Sequence, residues 1–431
     1  METTVSVEAS IKSRTSNNLV IELSIPLVRS MVSGEDVIQA GLNAAGQLAT
    51  GELLKLFDTD GSPISVGPLS LTSKGTVLKE YETPYGKVGV DRHVYQGDSG
   101  GNTYCPLDRE ARIIGSATPK FAKMISNKYS RSSVDEVQTD LASNHGRSIS
   151  RGQIQDVSDN VGEIAISKEE NWSYLPEIEA MVSTVSIGID GAMMLMRDDG
   201  YREAMSGTIA FYDKSGERLH TNYIAASPEY GKAKFFERMS REIERIKGKY
   251  PKAHYVGIAD GASSNWKFLE EHTDTQITDF YHASEYLADA SQAIFKKNQE
   301  KQRVEWLESH CHNLKHEKNA VIDQLKELTI LREERKLSDA NREKLDATIT
   351  YFTNQSPRMD YAEYIKNKLP IGSGVTEAGC KTIIKQRLCR SGMRWKDRGA
   401  SIVLALKCLV KSERWNNFWG KIDRYGVPTC A

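Results

Sequence analysis

Hydrophobic positions along the first third of the chain recur with two different periods. Between 34 and 57, Val37, Ile38, Leu42, Ala45, Leu48, Leu53, Leu54 and Leu56 follow helical spacing behind Ser33, a suitable cap, and predict a helix. Residues 17–28 read as a strand or extended arm, and Asp58-Thr59-Asp60-Gly61 as a turn. The same DxDG string could open a calcium loop, but the glutamate an EF-hand needs at its twelfth position is missing. From 75 to 104 the pattern alternates and is rich in Gly, Tyr and Val, which predicts a β-hairpin or small sheet turning at Tyr85-Gly86 and closed by Cys105-Pro106-Leu107. His93 and Cys105 are two zinc-capable side chains, too few for a site. Between 116 and 165 a helix starts at Ser132-Ser133, a turn falls at Asn144–Arg147, and a second helix with Ile154, Val157 and Val161 is capped near Ser148–Ser150. That order fits a helix-turn-helix with Arg151 toward DNA, and also an ordinary helical hairpin.

The middle of the chain changes period repeatedly. Val182–Ile189 is an apolar strand ending at Asp190, followed by strands at Glu203–Tyr212 and His220–Ala226. Their tight turns imply an antiparallel meander. Lys232–Lys249 is amphipathic and helical, Ala253–Ala259 is a strand ending at Asp260, 264–272 is a helix, and Thr275–Tyr281 is a fifth strand. Three antiparallel strands, helix, strand, helix, strand is the order of a ribonuclease H-like α/β domain. Residues 283–365 are charged, free of glycine and helical in composition. They read as an isolated coiled coil or as a helical insertion, and their place before Glu377 favours the insertion. Leu369–Gly374 ends it, and helices follow at about 375–386 and 399–412. The expected organisation is an N-terminal helix and β-hairpin region (1–115) and a helix-turn-helix-like region (116–170). The first part of the catalytic domain (180–290), a helical insertion (291–366) and the final helices with a basic tail (367–431) follow.

The bulk properties narrow the class. A chain of 431 residues is too long for one core and predicts two to four domains. Its 39% hydrophobic and 27% charged residues suit a soluble globular protein. No run approaches the ~20 apolar residues of a membrane span, and Met1–Val28 lacks the signature of a signal peptide. Cys105, Cys311, Cys380, Cys389, Cys408 and Cys430 form no CxxC pair and read as reduced thiols of a cytoplasmic protein. The net charge of −1 argues against a general nucleic-acid coat. Residues 366–431, however, hold 14 Lys/Arg against 4 Asp/Glu. This segment contains Lys381, Lys385, Arg387, Arg390 and Arg394, with Trp395 and Trp415 interleaved, and reads as a DNA-phosphate surface or as a solvated helical face.

Three carboxylates carry the candidate chemistry. Asp190 and Asp260 end strands beside glycine, and Glu377 follows Gly372-Ser373-Gly374 at a helix start. Each alone reads as a turn, a cap or a solvated residue. Their joint place in one predicted fold points to a site for two divalent ions ~4 Å apart, the arrangement that cleaves phosphodiesters. Oxygen donors suit magnesium. Lys381 and Lys385, at i+4 and i+8 from Glu377, either grip substrate phosphates or pair with neighbours on an exposed face. Asp279 and His282 end the predicted fifth strand, as a positioning pair beside the site or as ordinary polar residues. His310, Cys311, His312 and His316 cluster without a full ligand set; His312 and His316 have zinc-binding spacing, and a structural or DNA-facing helix is the other reading.

These motifs together resemble the DDE transposases of bacterial insertion sequences, specifically the Kra-type family. The resemblance spans most of the chain. It runs through Phe57–Gly61, Tyr104–Asp108, Asp190–Met194, Gly257–Gly261, Leu369–Glu377, Lys385–Cys389 and Ser391–Trp395, and Asp279–His282 is similar to the (C/D)xxH element of related transposases. It implies that Asp190, Asp260 and Glu377 bind two Mg2+ ions, with Mn2+ as a substitute. It also implies cleavage and strand transfer at terminal inverted repeats, double-stranded DNA as partner and target, a homodimer or higher oligomer, and a place at the bacterial nucleoid. A metal-dependent nuclease on the same fold and a catalytically silent DNA-binding descendant are the alternatives.

Overall fold

Alternating patterns become sheets, and helical patterns with caps become helices, in a chain that divides into two units: 1–174 with 401–431, and 175–400. The computed structural model describes residues 7–97, 100–229 and 232–428; Cys430 lies outside the described residues.

The first unit opens with strands β1 (Glu8–Arg14) and β2 (Leu19–Ser24), an antiparallel pair, and helix α1 (Met31–Lys55), which Ser30 caps one turn earlier than Ser33 would. Strands β3 (Ile64–Val66), β4 (Leu69–Thr83), β5 (Gly86–Gly97) and β6 (Gly100–Tyr104) form a four-stranded antiparallel sheet. The β4–β5 hairpin turns at Pro84-Tyr85, one residue before the expected Tyr85-Gly86, because Thr83 pairs with Gly86. Leu54, Tyr81, Val88, Val90 and Leu107 pack together over it, Leu107 coming from the short helix α2 (Pro106–Glu110). Asp58 accepts hydrogen bonds from the His93 backbone and ring, and Asp60 from Ser62, so the DxDG string is a turn.

Helices α3 (Pro119–Arg131), α4 (Val134–His145) and α5 (Arg151–Lys168) follow. Capping boxes at Ser133/Glu136 and Ser150/Gln153 set the starts of α4 and α5, and left-handed Gly146 ends α4. The α4–α5 turn is anchored by Arg147, which is buried and donates to Thr83 O (2.9 Å) and to the buried Glu82 carboxylate (2.6 Å). Arg151 is exposed and pairs with exposed Asp135 (2.9 Å).

The second unit is built on strands β7 (Thr184–Met196), β8 (Gly200–Tyr212) and β9 (Arg218–Ala226), then helix α6 (Ala233–Lys249), strand β10 (His254–Ala259), helix α7 (Ser263–His272) and strand β11 (Thr275–Thr278). The sheet order is β11-β10-β7-β8-β9. β7, β8 and β9 are antiparallel, while β10 pairs parallel with both β7 and β11. The period of two assigns the faces. Val185, Ile187 and Ile189 pack toward Phe235, Met239 and Ile243 of α6 and Trp266 and Leu269 of α7. Each such buried side chain stabilises by roughly 1.5–3 kcal/mol.

Only helices and short 3₁₀ turns lie between β11 and Leu369. They are α8 (Phe280–Ile294), α9 (Glu300–His316), α10 (Ala320–Glu334), α11 (Asp339–Gln355) and α12 (Tyr361–Lys366), and they form no single long coiled coil. Val256, Ile258 and Ile277 pack with Phe280, Leu287, Leu314 and Phe352 of this segment. The helix predicted at about 375–386 is three pieces: α13 (Gly374–Cys380), a π-helical turn (Lys381–Lys385) and α14 (Gln386–Leu388).

Helix α15 (Asp397–Lys411) and helix α16 (Trp415–Tyr425) end the chain. The stretch 367–431, expected as one region, therefore divides after Ala400. In the first unit Ile402 packs so closely on Gly162 of α5 that a Cβ there would come within 2.5 Å of it, and Trp172 meets Phe418 at 5.9 Å. No helix among the described residues is long and apolar enough to cross a membrane.

Candidate active site

Strand β7 alternates its apolar residues with Ser186, Gly188 and Asp190, so small and polar groups share its other face. That face receives α13. A Cβ on Gly188 would lie 2.0 Å from Thr376 Oγ1, and the Thr376 and Thr208 hydroxyls are 2.7 Å apart. Thr376, Gly379 and Cys380 are buried toward the sheet. Glu377 is exposed, and with Asp190, Lys381, Lys385 and Gln386 it lines a cleft of about 700 Å³. Gly188→Ala therefore displaces α13; overpacking of this kind costs about 1–3 kcal/mol, to be read as a lower urea midpoint with unchanged slope.

Asp190 is not at a strand end. β7 continues to Met196, because residues 190–196 pair with 200–206 of β8. It is β10 that stops: its pairing with β7 runs from His254↔Thr184 to Ile258↔Gly188, and exposed Asp260 follows two residues on, beside Asp190. Burial raises the Asp190 carboxyl above its ordinary value and the Asp260 charge adds to this, against hydrogen bonds from the Gly191 N–H and Cys380 and the charge of Lys385. Burial also pushes the Cys380 thiol up to about 12, with Asp190 reinforcing the shift. Cys380 is thus a protonated donor to Asp190.

Asp279 and His282 do not end a strand. β11 stops at Thr278, and buried Asp279 caps α8, accepting from the Tyr281 N–H at 3.0 Å. The sequence Asp279-Phe280-Tyr281 carries a cap and apolar residues together, which imitates a strand end. Asp279 Oδ2 meets His282 Nδ1 at 3.0 Å and Ser373 Oγ at 2.6 Å, and Ser373 Oγ meets Glu377 Oε1 at 2.8 Å. Among the described residues, Asp279, His282 and Glu377 are the one group of three metal-capable side chains whose ligand atoms lie within 4.8 Å of one another. Glu377 thus reaches Asp279 and His282 as well as the Asp190 cleft. Ser373, one helical turn before Glu377, was legible only as part of a glycine-rich helix start.

Burial pushes Asp279 upward, but hydrogen bonds from His282 and Ser373 outweigh it and hold the carboxyl below its ordinary value. The hydrogen bond to Asp279 raises His282 to about 9 against the opposing effect of burial. A histidine raised from 6.5 contributes stability that is complete below the unfolded value and lost as pH rises through about 9. Nitrogen-15 NMR at pH 7.5 is expected to find the His282 ring as imidazolium; a neutral ring there would contradict the ion pair.

The basic residues separate into two groups. Lys381 and Lys385 face the cleft despite the π turn, and Arg390 and Arg394 are exposed. Arg387, expected on the basic surface, is 2% exposed, with its guanidinium 5.1 Å over the Trp395 ring. Trp395 is a bracket: its indole N–H donates to Leu388 O and its backbone pairs with Leu195 and Arg197 at the end of β7. His310 bridges Trp306 O and Glu327, and the His312 and His316 rings lie 4.7 Å apart, tilted at 44°. Burial raises the Cys311 thiol. No protein-family model matches the chain, and no curated protein matches it.

Proposed function

We propose that residues 175–400 form a ribonuclease H-like catalytic unit with a helical insertion at 291–366, and that the protein is a DDE transposase. In this reading it cleaves DNA at the terminal inverted repeats of its own element and joins the freed ends to target DNA. One observation carries the reading: the parallel β7–β10 pair sets Asp190 on one strand and Asp260 just past the end of its neighbour, and α13, seated on Gly188 and Thr208, brings Glu377 to the Asp190 cleft with two lysines. The sheet order, third-second-first-fourth-fifth strand with the second antiparallel, supports the same fold.

The donor set is all oxygen, which suits magnesium or manganese. Two such ions, when bound, supply an activated water and neutralise charge at the scissile phosphate. Asp190, Asp260 and Glu377 would hold them. Lys381 and Lys385 present ammonium groups to the DNA backbone, and exposed Arg390 and Arg394 extend that surface. Ser373, Asp279 and His282 orient Glu377. Water breaks the phosphodiester at the element end and leaves a 3′-hydroxyl. That hydroxyl then attacks a target phosphodiester, one ester exchanged for another, so no external energy is needed. Holding two ends requires a dimer or higher oligomer.

The test uses the DNA that flanks the coding region. Linear DNA carrying its inverted repeats, incubated with the protein and magnesium, is expected to be cut at the repeats and joined to a second duplex. Cleavage without joining, even from pre-cut ends, would replace the transposase by a nuclease. Absence of any metal-dependent cleavage would remove the enzymatic reading.

A further inference from the structure

The Asp260 loop is held from outside the sheet. Asp260 follows the last residue of β10, and its own side chain accepts from the Ala262 N–H at 3.3 Å. Its main chain is fixed by helix α11. The Tyr351 hydroxyl donates to Asp260 O at 2.8 Å, and Gln355 Nε2 to Gly261 O at 3.4 Å. The packing is close: Gly261 has φ +125°, and a Cβ there would meet Tyr351 at 3.0 Å and Gln355 at 3.3 Å. Tyr351 is itself fixed, its ring stacked on Tyr286 of α8 with centroids 3.9 Å apart and 15° between planes. Gln355 is buried, and its Oε1 accepts from Thr278 Oγ1 at 3.5 Å. Thr278 is the β11 partner of Ala259, and its carbonyl accepts from Tyr361 at 2.9 Å. The last turn of α11 therefore ties together the ends of β10 and β11, the two strands that lead into Asp260 and Asp279.

We infer that Tyr351 and Gln355 are positioning residues for Asp260, through which the helical segment sets the metal affinity of the proposed site. This rests on the transposase reading of that site. Outer partners of metal ligands act by orienting them, and losing one typically costs 10–100-fold in affinity. The hydroxyl of Tyr351 touches the backbone of a ligand-bearing residue, so Tyr351→Phe keeps the ring, the stack and the fold while freeing the loop.

Mn2+ binding to the full chain without DNA, followed by electron paramagnetic resonance, separates the outcomes. Tyr351→Phe and Gln355→Leu are each expected to weaken Mn2+ binding about 10-fold. Arg358→Ala serves as the control. It lies on the same segment, paired with Glu270 at 2.6 Å and placed over Trp266, and is expected to lower the melting temperature but leave Mn2+ affinity unchanged. Wild-type affinity in Tyr351→Phe, or an equal loss in Arg358→Ala, overturns the positioning role while leaving the metal site standing. If the wild type has no Mn2+ site that Asp190→Asn removes, the reading of the site fails and the inference with it. Faster hydrogen exchange at 259–262 in Tyr351→Phe is the second expected result, and unchanged exchange there also counts against the inference.

Discussion

Asp190→Asn is expected to abolish metal-dependent DNA cleavage while leaving DNA binding and the melting temperature close to wild type. The loss should reach at least a thousandfold, about 4 kcal/mol of transition-state stabilisation at ~1.36 kcal/mol per tenfold. A carboxamide keeps the shape of the side chain but not its charge. The change also removes a half-buried carboxylate that burial and Asp260 already hold above its ordinary value, so the fold loses little. Asp260→Asn and Glu377→Gln are expected to act in the same way. A gel assay of strand cleavage on repeat-bearing DNA, with a parallel binding assay, checks all three. Cleavage within tenfold of wild type in any one would remove that residue from the metal-binding set.

Arg147→Ala is expected to have the largest effect on stability. Arg147 and Glu82 are both buried and in contact at 2.6 Å, and Arg147 also lies 5.1 Å over the Phe121 ring. Truncating Arg147 leaves the buried Glu82 carboxylate with only the exposed Lys87, at 3.9 Å, as counter-charge, and breaking a buried pair in this way costs about 3–5 kcal/mol. Glu82 also accepts from Gln153 at 2.9 Å, so β4, the α4–α5 turn and the start of α5 loosen together. Arg151→Ala, four residues away, breaks an exposed pair and is expected to change stability by less than about 1 kcal/mol. Urea unfolding of both variants makes the comparison. Equal midpoints would mean that the buried pair carries no more than the exposed one.

The two arginines show where sequence reading stops. Arg151 follows the cap Ser150 and its exposure was expected, but nothing near Arg147 in the chain announces a partner 65 residues earlier. The same limit applies in the basic tail. Arg387, Arg390 and Arg394 read alike as charges beside aromatic residues, yet Arg387 is enclosed under Trp395 while the other two are exposed. Charge along a sequence does not say which side of a helix meets a neighbour. The π turn at Lys381–Lys385 was invisible as well, since Lys-Thr-Ile-Ile-Lys holds no breaker residue that would mark it.

What the sequence determined by itself was local. Apolar runs and turns placed β7 to β10, helical runs placed α1 and α6, and serine caps placed the starts of α4 and α5, because these patterns act over a few residues. It also singled out Asp190, Asp260 and Glu377. Tertiary structure decided what comes near Asp190: a strand register across 70 residues of chain for Asp260, and a helix seat between Thr208 and Thr376 that spans 168 for Glu377. Asp279 combines both levels, since its cap bond to the Tyr281 N–H is local while Ser373, 94 residues on, donates to its other oxygen. Such contacts depend on which faces find complementary partners. The role of the helical segment is of that kind too. Composition marked it as helical, and only packing set Tyr351 and Gln355 against the loop that carries Asp260.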